Sequence, residues 1–193
     1  MKSILKRWNI TVAELTELID TNPSLRGLVL GYVAELQFRK LLINFPVIRY
    51  LGKDDDHDRK NKGDCLIEYK GKRFRVEVKS LQTNSIKRTN DTYFGKTQVD
   101  ASDSRTIPLP DGSEISTTCL LRGGFDLLAV NCFAFDEQWR FVFAANANLP
   151  ASTYTKYSEY QRQQLLATLV SVTWPPEYPF CNSPIPVLDS LIK

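Results

Sequence analysis

The sequence predicts an α/β (α+β) fold, a central mixed β-sheet flanked by helices. Three observations predict it. Apolar residues recur at helical spacing before residue 45, a hairpin of alternating residues spans 64–80, and two strongly apolar strand runs, "GFDLLAVNCFAF" and "WRFVFAAN", precede a further helical segment. Helix, strands and helix again around one core make a mixed sheet with helical cover. With 193 residues, 42% hydrophobic and 24% charged, the chain is long enough for one globular domain. That domain is expected over 1–193, with a core at about 24–143 and a C-terminal helix and proline-rich tail over 150–193.

In "TVAELTELID", Thr11 and Glu14 stand at capping-box spacing before Leu15, Leu18 and Ile19, which predicts a short helix. A longer helix is expected from Ser24 as N-cap. Its core stripe reads Leu25, Leu28, Val29, Tyr32 and Leu36, and Gly27 and Gly31 would admit a neighbouring backbone. "PVIRYLG" reads as the first strand. In the polar loop after it, Asp54, Asp56 and Asp58 imitate a calcium loop. Arg59 replaces the required glycine and Cys65 the closing glutamate, so that reading fails. His57, the only histidine, reads as solvated, and histidine-based metal sites lose ground. "QTNSIKRTND" reads as a mobile basic loop, "YFGKTQVDASDSR" as a short helix or turn, and "IPLPDGSE" as a loop or hairpin tip. "SEYQRQQLLATLV" predicts a late helix, and the tail is expected to pack irregularly through its aromatics.

The net charge is only +3, but residues 59–88 hold ten basic residues against three acidic ones, an excess that suits a polyanion. Four cysteines lack C-x-x-C spacing, which disfavours a zinc ribbon. Cys65 and Cys132 read as buried small hydrophobes. "MKSILKRWNITVAEL" lacks the apolar run of a signal peptide, and no stretch approaches membrane-span length. A reducing, cytoplasmic location without membrane contact is expected.

The candidate chemistry lies in "KGDCLIEYKGKRFRVEVKS". With Lys70-Gly71 as a two-residue turn, paired residues place Cys65, Ile67 and Tyr69 opposite Val76, Phe74 and Lys72. The same register sets Asp64 opposite Glu77, with Lys79 one pleat on. Like charges so placed destabilise a sheet, and a divalent cation held by carboxylate oxygens would reverse the sign.

Asp64 followed by Glu77-Val78-Lys79 resembles the signature of the PD-(D/E)XK nuclease superfamily, the fold of many restriction endonucleases. Glu35 in "GYVAEL" fits its upstream helical acid, and "FDLLAV" resembles its later core strand. The resemblance covers about residues 24–143, and Gly63 stands where the namesake proline would be. It implies a restriction endonuclease-like core and a Mg²⁺-dependent endodeoxyribonuclease of type II restriction type. Mg²⁺, replaceable by Mn²⁺, would be held by Asp64, Glu77 and the Val78 carbonyl. Lys79 would orient the attacking water, or help deprotonate it if its pKa is lowered. Glu35 would be an outer ligand or hold a second metal, or else simply pair with Arg39. Double-stranded DNA is the implied substrate, with Lys87, Arg88, Lys96, Gln98, Arg105 and Arg122 as candidate contacts and a homodimer as the candidate assembly. A non-catalytic nucleic-acid-binding module and a repair or junction-resolving nuclease of the same fold are the alternatives.

Overall fold

The computed structural model describes residues 2–53 and 63–192. The calcium-like acidic loop, His57, Arg59, Lys60 and Lys62 lie outside them. In chain order the helices and strands are α1 (Ile4–Trp8), α2 (Val12–Thr21), α3 (Pro23–Leu41), β1 (Ile48–Gly52), β2 (Cys65–Tyr69), β3 (Lys72–Ser80), β4 (Lys87–Thr89), β5 (Thr92–Gln98), β6 (Asp100–Pro108), β7 (Glu114–Cys119), β8 (Leu127–Asn131), β9 (Phe141–Ala145), α4 (Glu159–Gln164), β10 (Leu169–Trp174) and α5 (Pro184–Ile192).

The capping box forms as expected: Thr11 Oγ1 accepts from the Glu14 N–H, and Glu14 accepts from the Thr11 N–H at 2.7 Å. The longer helix starts earlier than expected. Its N-cap is Asn22 rather than Ser24, because Pro23 takes the first helical position, where a missing N–H is harmless. Its core stripe is also different. Leu25, Leu28, Tyr32 and Leu36 are exposed, and Ala34 and Phe38 are buried. Helical spacing marks a face without saying which face meets the sheet. Phe38 meets it here, edge-on to Phe141 with ring centroids 5.8 Å apart. Nor does a backbone approach Gly27 or Gly31, since a Cβ at either would meet nothing within 4 Å.

The central sheet has the order β1-β2-β3-β8-β9. It is mixed: β3 and β8 run parallel and its other pairs antiparallel. β8 and β9 are buried on both faces, which explains their nearly continuous apolar runs. Leu127, Ala129, Phe141 and Phe143 pack towards α3 and α5. Leu128, Val130, Val142 and Ala144 join a second cluster with Leu81, Val99, Val170 and Val172. A three-stranded sheet, β10-β5-β4, covers that face and adds Val170 and Val172 of β10 to the cluster. The molecule is thus helices, mixed sheet and small sheet, in that order.

Three sequence expectations fail in this outer layer. The segment read as a basic loop contains β4, and the one read as a short helix or turn forms β5 and β6. Period two decides it: Gly95, Thr97 and Val99 are buried while Phe94, Lys96 and Gln98 are exposed. Gly95 is needed there, because a Cβ would stand 2.9 Å from Ile86 Cδ1 and 3.1 Å from Phe135 Cε1. The late helix stops at Gln164, and Leu169–Trp174 instead pairs with β5. The proline-rich tail is not wholly irregular, since α5 tolerates Pro184 and Pro186 within its first turn. "IPLPDGSE" does form the tip of the β6–β7 hairpin. Cys65 and Cys132 are buried, and burial pushes the Cys132 thiol up to about 12. No helix among the described residues is long and apolar enough to cross a membrane.

Candidate active site

The site is built at one end of the β2–β3 hairpin. Lys70 and Gly71 both take positive φ, 49° and 75°, which makes the two-residue turn whose twist suits a hairpin. The register is the expected one from Tyr69↔Lys72 to Cys65↔Val76. It then changes. The Asp64 N–H donates to the Val76 carbonyl at 2.8 Å, so residues 64 and 65 are both set against Val76. Such a doubling re-aims the extra residue. Asp64 therefore does not simply face Glu77 across the ladder, and its Oδ2 accepts from the Val78 N–H at 2.7 Å. Gly63, just before it, has a φ of 113°, and a Cβ there would lie 3.2 Å from the Val76 carbonyl oxygen. Proline cannot adopt that φ, which explains its absence from this position.

The two carboxylates still feel each other. Burial first, and the charge of Glu77 second, push the Asp64 carboxyl up to about 7. Glu77 is itself buried, and its Oε1 pairs with Lys79 Nζ at 2.8 Å. Lys79 also donates to the Asp100 carbonyl at 3.3 Å. Burial alone would lower the Lys79 pKa, but Glu77, Asp64 and Asp100 outweigh it and leave it raised. Of the two roles considered for Lys79, this direction favours the cation that orients the water.

Glu35, Asp64, Val78 and Lys79 line one cleft of about 380 Å³ with Gly27, Leu28, Gly31, Tyr32 and Ser80. The two glycines leave open space between the Leu28, Tyr32 and Glu35 side chains on the α3 wall of that cleft. Glu35 does not pair with Arg39. Its partner is Lys53, at 2.7 Å, whose ammonium also lies 4.9 Å from the Tyr32 ring centroid. Arg39 lies over Tyr50 instead. Among the described residues, no group of three or more His, Cys, Asp or Glu side chains is arranged around a common metal position. Asp64 and Glu77 offer oxygen only, and the repulsion between them fits a hard divalent cation.

The candidate DNA contacts divide. Lys96 and Gln98 share the exposed face of β5 with Phe94, and Lys87 is paired opposite Phe94 on β4. Gln98 donates to Asp100 Oδ2 and accepts from Gln82, each at 2.9 Å. The polar chain thus runs from this face to the residue that holds Lys79. Arg88 is stacked on Tyr93, 5.0 Å from the ring centroid. Arg105 lies opposite Thr117, with its Nε buried and without a hydrogen-bond partner. Arg122 is consumed structurally, donating to the carbonyls of Gln163, Ala147 and Leu149. Lys70 and Lys72, counted in the basic patch, are likewise tied to α5 through Asp189 at 2.6 Å and the Ile192 carbonyl at 3.0 Å. The aromatic between the two lysines, Phe94, was missed; an alternating β5 would have revealed it.

No protein-family model matches the chain, and no curated protein matches it. Among solved structures, it is similar to a bacterial homing endonuclease, with a TM-score of 0.39 and 14% identity, over 70% of this chain and 85% of that one.

Proposed function

We propose that the protein is a metal-dependent endonuclease that hydrolyses phosphodiester bonds of double-stranded DNA, of restriction type. One observation carries the reading: Asp64, which lines an open cleft with Lys79, feels the charge of the buried Glu77 that pairs with that lysine, a cost that a cation would remove. Asp64, Glu77 and the Val78 carbonyl would hold Mg²⁺, or Mn²⁺ in its place, with Glu35 as an outer ligand once released from Lys53. Bound Mg²⁺ supplies polarisation of the phosphate and a more acidic water. Lys79, kept protonated by its carboxylate neighbours, orients that water as a hydrogen-bond donor and offsets charge on the phosphoryl oxygens. Lys87, Phe94, Lys96 and Gln98 carry the duplex towards the cleft through phosphate contacts and one apolar contact.

The test is plasmid cleavage with Mg²⁺, Mn²⁺, Ca²⁺ or EDTA. Mg²⁺ and Mn²⁺ should support cutting into discrete bands, and Ca²⁺ binding with little turnover. Asp64→Ala and Glu77→Ala should abolish cutting while metal-free DNA binding stays intact or tightens, because each removes a negative charge near phosphate. Full cutting in excess EDTA, or wild-type rates in both variants, defeats the reading. Smearing would make the enzyme non-specific, cleavage confined to four-way junctions would make it a resolvase, and binding without cutting would make it a non-catalytic module.

A further inference from the structure

We infer that α1 and α2 form a self-complementary surface that docks a second copy of this chain. Neither helix has a buried residue. Both carry large apolar side chains nonetheless: Ile4, Trp8, Val12 and Leu18 are all exposed, Trp8 to 60% and Val12 to 67%. Single exposed apolar residues need no explanation. A whole amphipathic helix pair that contributes nothing to its own core does.

Charge identifies the occupant. Residues 2–8 carry Lys2, Lys6 and Arg7 and no acid, whereas α2 carries Glu14, Glu17 and Asp20 and no base. A notch of about 360 Å³ on α2 is lined by Ile10 and Leu18 and by Glu14, Glu17 and Thr21. An apolar lining beside two carboxylates suits an aromatic side chain flanked by cations. Trp8, beside Lys6 and Arg7, is that combination. In a two-fold arrangement, α1 of each protomer lies on α2 of the other, so both contacts form together. The acids of α2 repel polyanions, which sets nucleic acid aside as the occupant. This surface does not rest on the hydrolase reading, and the mass measurements that test it contain neither DNA nor metal.

Sedimentation velocity at tens of micromolar and low salt reads the outcome. The wild-type chain should sediment at twice its 22.1 kDa mass, and Trp8→Asp as a monomer. Lys6→Glu/Arg7→Glu and Glu17→Lys/Asp20→Lys should each be monomeric alone. Mixed one to one they should dimerise, because each contact regains opposite charges. All the substituted side chains are exposed, so thermal melts should match wild type. A monomeric wild type, or a mixture that stays monomeric, overturns the inference. So does an unchanged mass for Lys6→Glu/Arg7→Glu accompanied by weaker duplex binding, which would give α1 to nucleic acid.

Discussion

Asp64 ties the chemistry of the site to the stability of the protein. Its folded pKa of about 7 lies above the ordinary value of 3.8, so between those limits the folded state holds a proton that the unfolded state has released. Stability from this group is complete below about pH 4 and is lost as pH rises through 7, an upper bound of about 4 kcal/mol. Asp64→Asn, which keeps an oxygen for the Val78 N–H, should therefore be more stable than wild type at pH 8 without metal. The two should converge near pH 4 in thermal melts. A gap that widens on acidification would contradict this sign. Gly63 gives a second residue-scale prediction. Gly63→Pro should lower stability by about 1–3 kcal/mol and reduce cleavage, read from urea titrations and plasmid assays. The φ of 113° and the 3.2 Å approach to Val76 oppose it.

At the scale of elements, Gly95→Ala should destabilise by about 1 kcal/mol in chemical denaturation, because a methyl on β5 must push the Ile86 side-chain tip aside and crowd the Phe135 ring. The sequence did not reveal this strand. Thr, Gly, Lys and Gln along "TYFGKTQ" lack the apolar half that announces a strand, and Gly95 and Thr97 are buried without it. The β2–β3 hairpin was legible because a Lys-Gly turn and clean alternation agree on one register. What lay beyond reach was the change of register at Asp64, since it depends on the backbone angle of Gly63. The candidate residues could be named, but not their manner of contact. The face of α3 was misread for a simpler reason: exposed Leu25, Leu28, Tyr32 and Leu36 imitate a core stripe.

Across the whole molecule, the layer order puts the small sheet's Lys87, Phe94 and Lys96 on an exposed surface linked to the site through Gln98 and Asp100. Lys87→Ala and Lys96→Ala should each weaken duplex affinity and shallow its salt dependence by up to roughly one unit of log–log slope. Fluorescence anisotropy across a salt series reads both. Arg88→Ala, stacked on Tyr93, should change that slope less. The hairpin also spans the distance between two functions. One end presents Asp64 and Glu77, and the other is fastened to α5 by Lys70 and Lys72. It is a beam gripped along its whole length, laddered to β1 on one side and to β8 on the other, so the carboxylates sit on a backbone that cannot swing without breaking sheet pairing; the tie to Asp189 only trims its far tip.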